Sequence, residues 1–84
     1  MITKYSVTIL SVLKDNKAEV PAKSMTIPQM INRIPKDNRK SYRTVYRHLL
    51  EMSRLGYVKP GLDDGAAATY YITPNGLRFI DAQN

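Results

Sequence analysis

The sequence predicts an α+β fold, mainly α: a three-helix cluster, a β-hairpin and a C-terminal helix. Three observations predict it. Apolar residues recur at helical spacings of three, four and seven in separate stretches. Two short runs rich in β-branched and aromatic residues flank an Asp-Gly turn. Hydroxyl residues that can cap a helix stand before each helical stretch, at Thr3, Thr26, Ser41 and Thr73. The 84 residues are read as one domain, and a chain this short buries roughly 60% of its unfolded surface, which allows one modest core.

Residues 3–15 form the first helix, with Ile2, Tyr5, Ile9, Val12 and Leu13 on its apolar side. Thr3 is its cap, and Asn16, which tolerates the left-handed conformation, is its stop. Val7 and Leu10 fall partly off the stripe. They call for a second packing surface, supplied either by a partner subunit or by the domain itself. Lys17–Lys23 is a polar loop, and 24–26 is a very short strand with Met25 inward. Thr26 and Gln29 form a T-x-x-Q capping box that opens the second helix, whose apolar face is Ile27, Met30, Ile31 and Ile34. Pro35 ends it, because the residue before a proline is pushed out of the α region.

Lys36–Lys40 is a polar connector, and Ser41 caps the third helix. Val45, Leu49, Met52 and Leu55 make its core face, and Gly56 stops it. Tyr57 and Val58 begin a strand, which Lys59-Pro60-Gly61 breaks. Residues 62–67 turn, 68–72 resume a strand, and Thr73-Pro74 opens a last helix anchored by Leu77, Phe79 and Ile80. The hairpin can take the short early strand as a third member.

Charge is concentrated. From Arg33 to Arg54 there are seven basic residues and two acids, so this window carries +5 of the net +6. A clustered positive patch attracts polyanions, and nucleic acid is the generic candidate. A solvated basic face kept for solubility is the plain alternative. With no cysteine, disulfides and zinc-thiolate sites are excluded. No apolar run approaches a membrane span, and the first residues read as a helix rather than a signal peptide. The glycines make no phosphate-binding fingerprint, and no serine is paired with a base, so no enzyme, cofactor or metal is expected. His48, the single histidine, reads as a partly buried helix residue.

Base readout needs side chains with paired donors in the leading turns of a helix, and arginine supplies them to guanine. Arg43 and Arg47 are therefore the candidates for base or phosphate contact. Tyr42 and Tyr46 either pack on sugars and thymine methyls or lean on the core. Arg39, Lys40, Ser41 and Thr44 are candidates for phosphate contact, which positions a protein without reading sequence. Thr26 and Gln29 can present N–H groups to a phosphate. Arg54 points away from DNA or answers the helix dipole.

The segments MTIPQMINRI (25–34), SYRTVYRHLLEMSRLGYV (41–58) and YYITPNGLRFI (70–80) stand in the order and at the separations of a winged helix-turn-helix transcriptional regulator, which the chain resembles over nearly its whole length. The middle segment is similar to a family pattern that begins S-x-x-T-V-x-R-x-L and closes on G-x-V. The last is similar to Y-x-[IL]-T-x-x-G. The resemblance implies that the third helix lies in the major groove of double-stranded DNA and that the hairpin is a wing. It also implies a homodimer, paired here through the first and last helices, working in the cytoplasm at the nucleoid. Two features depart from the family. The connector exceeds the usual three or four residues, and the wing tip carries Asp63 and Asp64 without an arginine, leaving Lys59 as the wing's one candidate contact. A protein–protein interaction module and non-specific architectural DNA binding are the alternative functions.

Overall fold

The first three helices assemble around side chains that the sequence spaces for the purpose. The structure, a computed structural model, describes residues 2–62, 65 and 67–83. Helix α1 (Lys4–Asp15) begins at Thr3, whose hydroxyl accepts the Ser6 N–H at 3.3 Å. It buries Ile9, Leu10 and Leu13 completely. Leu10 is thus covered by the chain itself, while Val7 is only partly covered. Asn16 is the cap but is not left-handed, at φ −96°. Its side-chain amide donates to the Val12 carbonyl at 2.8 Å and keeps it beside the helix. The left-handed turn falls instead on exposed Lys17, at φ 57°.

The loop that follows holds one short 3₁₀ turn (Pro21–Lys23) and is not wholly polar in its packing. Ala18 is fully buried, and its carbonyl accepts the Ile72 N–H at 2.8 Å. Strand β1 (Met25–Thr26) leads directly into helix α2 (Ile27–Arg33) through the capping box. The Thr26 N–H donates to Gln29 Oε1 at 2.9 Å, and the Gln29 N–H donates to Thr26 Oγ1 at 3.2 Å. Ile34, held extended by Pro35, ends α2 yet stays buried.

The connector contains a single 3₁₀ turn (Lys36–Asn38) before helix α3 (Tyr42–Arg54). Val45, Leu49 and Met52 are fully buried on α3. Leu55 departs from the expected core face, being 49% exposed. The helix closes one residue earlier, in a Schellman turn: the Tyr57 N–H donates to the Met52 carbonyl and the Gly56 N–H to that of Ser53. Gly56, at φ +81°, swings the chain away, and Val58 takes the buried place.

Strand β2 (Val58–Pro60) includes Lys59 and Pro60, which the sequence placed in a break. The sheet order β1-β3-β2 makes β2 an edge, pairing antiparallel with β3 (Thr69–Ile72). The Gly61 N–H donates to the Thr69 carbonyl, so by alternation Lys59–Tyr71 is a bonded pair and Pro60–Tyr70 is not. The proline nitrogen therefore faces away from β3, where a missing donor costs no ladder bond. β1 joins the other side of β3 as the expected third member. The wing-tip acids Asp63 and Asp64 lie outside the described residues.

Helix α4 (Pro74–Gln83) starts on the Thr73 hydroxyl, which accepts the Gly76 N–H at 3.1 Å and donates to the Gly56 carbonyl. Gly76 packs so closely that a Cβ there would lie 2.3 Å from the Tyr57 carbonyl oxygen. These contacts explain the T-x-x-G part of the last motif: it docks α4 onto the end of α3. Phe79 stacks on Tyr57 with centroids 4.7 Å apart, Ile80 is buried, and Lys14 pairs with Asp81 at 3.2 Å to join α4 to α1. Four helices and a three-stranded antiparallel sheet thus make a mainly helical winged-helix fold.

Candidate nucleic-acid interface

Helix α3 turns Val45, Leu49 and Met52 inward, so its period throws Tyr42, Arg43, Tyr46, Arg47 and Leu50 outward, and all five are exposed. Ser41 fixes where this face begins. Its hydroxyl accepts the Thr44 N–H at 3.2 Å and donates to Thr44 Oγ1 at 3.1 Å. The leading turn therefore presents Tyr42 and Arg43 first, and Tyr46 and Arg47 one turn on. Tyr42 and Tyr46 lean on solvent rather than into the core, at 52% and 39% exposure. They border Tyr70 of β3, whose phenol is pushed above its ordinary pKa by burial first and then by the Tyr46 and Tyr42 phenols.

Thr44, Arg47, His48 and Glu51 line an open cleft of about 240 Å³ beside this face. His48 is half-buried, and its Nδ1 lies 2.9 Å from the fully buried Ser6 hydroxyl of α1. Burial pushes its pKa below the ordinary imidazole value; Glu51 opposes the shift, and Lys40 and Arg47 add to it. The neutral imidazole is thus favoured, and His48 serves as a seam between α1 and α3. Among the described residues, no group of three or more His, Cys, Asp or Glu could hold a metal ion, and no helix is long and apolar enough to cross a membrane.

The remaining candidates divide. Lys40, next to the Ser41 cap of α3, is tied to α1: its N–H donates to the Tyr5 hydroxyl at 3.2 Å. Arg39 turns back. Its Nε donates to the Ile34 carbonyl at 2.8 Å and its Nη2 to that of Asn32 at 3.1 Å, so it closes the end of α2 and fixes the path of the connector. The Thr26 and Gln29 N–H groups are occupied by their own capping box. Gln29 borders a different cleft, of about 490 Å³, with Asn16, Asn32 and Arg33. Asn16 is about 16 Å along the α1 axis from Tyr5, so this cleft and Lys40 lie at opposite ends of α1. Lys59 lies in a cleft of about 330 Å³ with Gly56, Asn75 and Arg78, at the far end of α3 from Ser41. Arg54, in the last turn of α3, is also at that end.

Sequence reasoning missed Tyr5, Ser6 and Arg78. Tyr5 read as part of the apolar side of the first helix and Ser6 as a polar residue within that helix, and nothing local linked them to residues 35 and 42 positions away. Arg78 is the single basic residue of α4, and no periodic signal sets it beside Lys59.

No family model matches the chain. The DNA-binding protein TubR of Clostridium botulinum C phage is 36% identical to it over 76 residues, spanning 90% of this chain and 89% of that one. The solution structure of the DNA-binding TubR fragment from Clostridium botulinum superposes with a TM-score of 0.74 at 34% identity, covering 100% of this chain and 99% of that chain. TubR from Bacillus megaterium pBM400 has a TM-score of 0.78 at 18% identity, covering 95% and 83%, a likeness in fold.

Proposed function

The chain belongs to the TubR family of DNA-binding proteins, and we propose that it binds double-stranded DNA sequence-specifically as a small regulator, with α3 in the major groove. The reading takes the 84 residues as one domain. One observation carries it: the exposed side of α3 sets Arg43 and Arg47 one turn apart, while the opposite side is locked into the core. Arginines in the leading turns have the reach for guanine O6 and N7, worth about 1–3 kcal/mol of discrimination per good contact. Lys40, Ser41 and Thr44 at the same end supply phosphate contacts that set register. Tyr42 and Tyr46 offer exposed rings to sugars and thymine methyls. Arg39 acts through the connector it ties down. Thr26, Gln29 and Lys59 are peripheral contacts at most, since their N–H groups or positions serve other parts of the fold.

The same reading holds that the protein is not an enzyme, works at the nucleoid in the cytoplasm, and pairs as a homodimer. Pairing through α1 and α4 would use their polar residues together with partly covered apolar ones such as Val7 and Leu77. Among the described residues, the large apolar side chains left exposed are Val20, Tyr42, Tyr46, Leu50, Leu55 and Leu62, all outside those two helices. That exposed set also favours a second reading, in which the domain docks on another protein.

Selection of sites from a random duplex pool, followed by affinity measurements, tests the proposal. Arg43→Ala and Arg47→Ala should each weaken binding to the selected site while leaving the melting temperature unchanged. Log K should fall with log salt by about 0.9 per phosphate neutralised. Unchanged affinity in both variants sinks the major-groove reading. Equal affinity for selected and bulk DNA replaces it with architectural binding, and no DNA binding alongside capture of one protein replaces it with docking.

A further inference from the structure

We infer that Tyr5 is a positioning residue of the DNA interface: it holds Lys40 against α1, where Lys40 and Lys4 flank a cleft that takes one phosphate of the duplex backbone. The inference rests on the DNA-binding reading and adds α1 to the surface that carries it.

Tyr5 makes three contacts across the chain. Its hydroxyl accepts the Lys40 N–H at 3.2 Å. Its ring lies under the Lys40 ammonium, with Nζ 5.1 Å from the centroid, within range of the attraction between a cation and a ring face. The same ring tilts against His48 of α3, with centroids 5.3 Å apart. The neighbouring Ser6 hydroxyl meets His48 Nδ1 at 2.9 Å. One turn of α1 therefore grips both the connector and the first half of α3.

The connector needs such a grip, since every residue from Pro35 to Arg43 is exposed. A lysine on an exposed segment loses rotamer freedom when it is fixed in a contact. A ring already beneath the ammonium removes part of that loss before DNA arrives. The cleft between α1 and the connector measures about 430 Å³ and brings Lys4, Arg39 and Lys40 together against one acid, Asp37. The Arg39 guanidinium is turned to the carbonyls of Ile34 and Asn32, so the two ammonium groups are the ones suited to an incoming anion. A Lys pair of this kind grips phosphate as point charges and reads no sequence.

Affinity for a random-sequence duplex is measured against salt for the wild type, Lys4→Ala, Lys40→Met, Tyr5→Leu and the Tyr5→Leu/Lys40→Met pair, with thermal melts alongside. Each lysine substitution should reduce the salt slope, by at most about 0.9 because the two lysines share one phosphate. Tyr5→Leu should weaken binding about 2- to 5-fold in the native background and leave it unchanged in the Lys40→Met background. A purely structural tyrosine would cost the same in both backgrounds, and that result overturns the positioning role. Should Tyr5→Leu fail to fold, Tyr5→Phe, which keeps the ring beneath the ammonium but loses the hydroxyl that accepts the Lys40 N–H, takes its place in the same comparison; it should weaken binding less than about 2-fold in the native background and not at all in the Lys40→Met background, and an equal loss in both overturns the role. Unchanged slopes for both lysine variants put the cleft outside the interface. If those variants bind normally while Arg43→Ala and Arg47→Ala do not, only this inference fails. If the wild type binds no duplex at low salt, the DNA-binding reading fails with it.

Discussion

The two ends of α3 are held by different means. At its C-terminal end the attachments are made to backbone groups and are at least partly buried. Gly56 turns the chain at φ +81°, the Thr73 hydroxyl donates to the Gly56 carbonyl, and Gly76 sits where a Cβ would meet the Tyr57 carbonyl. At its N-terminal end the attachments are side chains at the surface: Ser41 with Thr44, Arg39 with the end of α2, and Lys40 with Tyr5. The first end has no slack, because displacing backbone groups breaks the packing of α4. The second end can adjust by rotamer changes at small cost. On the proposed reading, in which α3 enters a groove, this division is an advantage: the anchored end fixes the approach and the adjustable end faces the bases.

The comparison can be broken most directly at Gly76. Gly76→Ala places a methyl 2.3 Å from a backbone oxygen and 2.6 Å from Ile72 Cγ1, and overpacking of this kind should cost about 3 kcal/mol, read as a fall in the urea midpoint. A neutral result would show that the C-terminal end has slack after all. Ser41→Ala should cost less, about 1 kcal/mol in the same measurement, as the loss of a helix cap. If it equals or exceeds Gly76→Ala, the N-terminal end is the firmer one.

The smallest effect concerns pH. Burial holds the folded His48 pKa below its ordinary value, so the unfolded chain takes up the proton first. The stability contributed by neutral His48 is complete above the unfolded pKa of about 6.5 and is lost as pH falls below it, through the folded pKa. Melting temperatures of the wild type should therefore decline more than those of His48→Gln between neutral pH and pH 5. Parallel declines would mean that the imidazole is not a titrating part of the seam.

Much of the fold was legible because its signals are local. The Thr26–Gln29 box, the Ser41 cap and the Gly56 stop each lie within a few residues, and their partners are fixed by helical geometry. The basic face of α3 was legible for the same reason, since Arg43 and Arg47 are four apart. Leu55 was not, because its place depends on where the helix closes, and a Schellman turn moved it out by one residue. Pro60 was not, because whether a proline breaks a strand depends on which side its nitrogen faces in a pairing still unknown. The contacts of Tyr5 with Lys40 and of Ser6 with His48 join residues 35 and 42 apart, which periodicity cannot connect. Arg39 carried the right charge for a phosphate but was drawn to two carbonyls at the end of α2, an acceptor pair that composition does not reveal.

The outward-facing nitrogen of Pro60 has a consequence for how copies of this protein can meet. A free sheet edge is an invitation for strands of neighbouring molecules to pair, the first step towards aggregation. Here one edge is three residues long, carries exposed Lys59 and offers no donor at Pro60, while the other is the two-residue β1, which runs at once into a helix. Among the described residues, neither edge offers a strand long enough to template another. If many copies crowd along one stretch of DNA, they must meet through helices and side chains, and the sheet stays closed to its neighbours even at high local concentration.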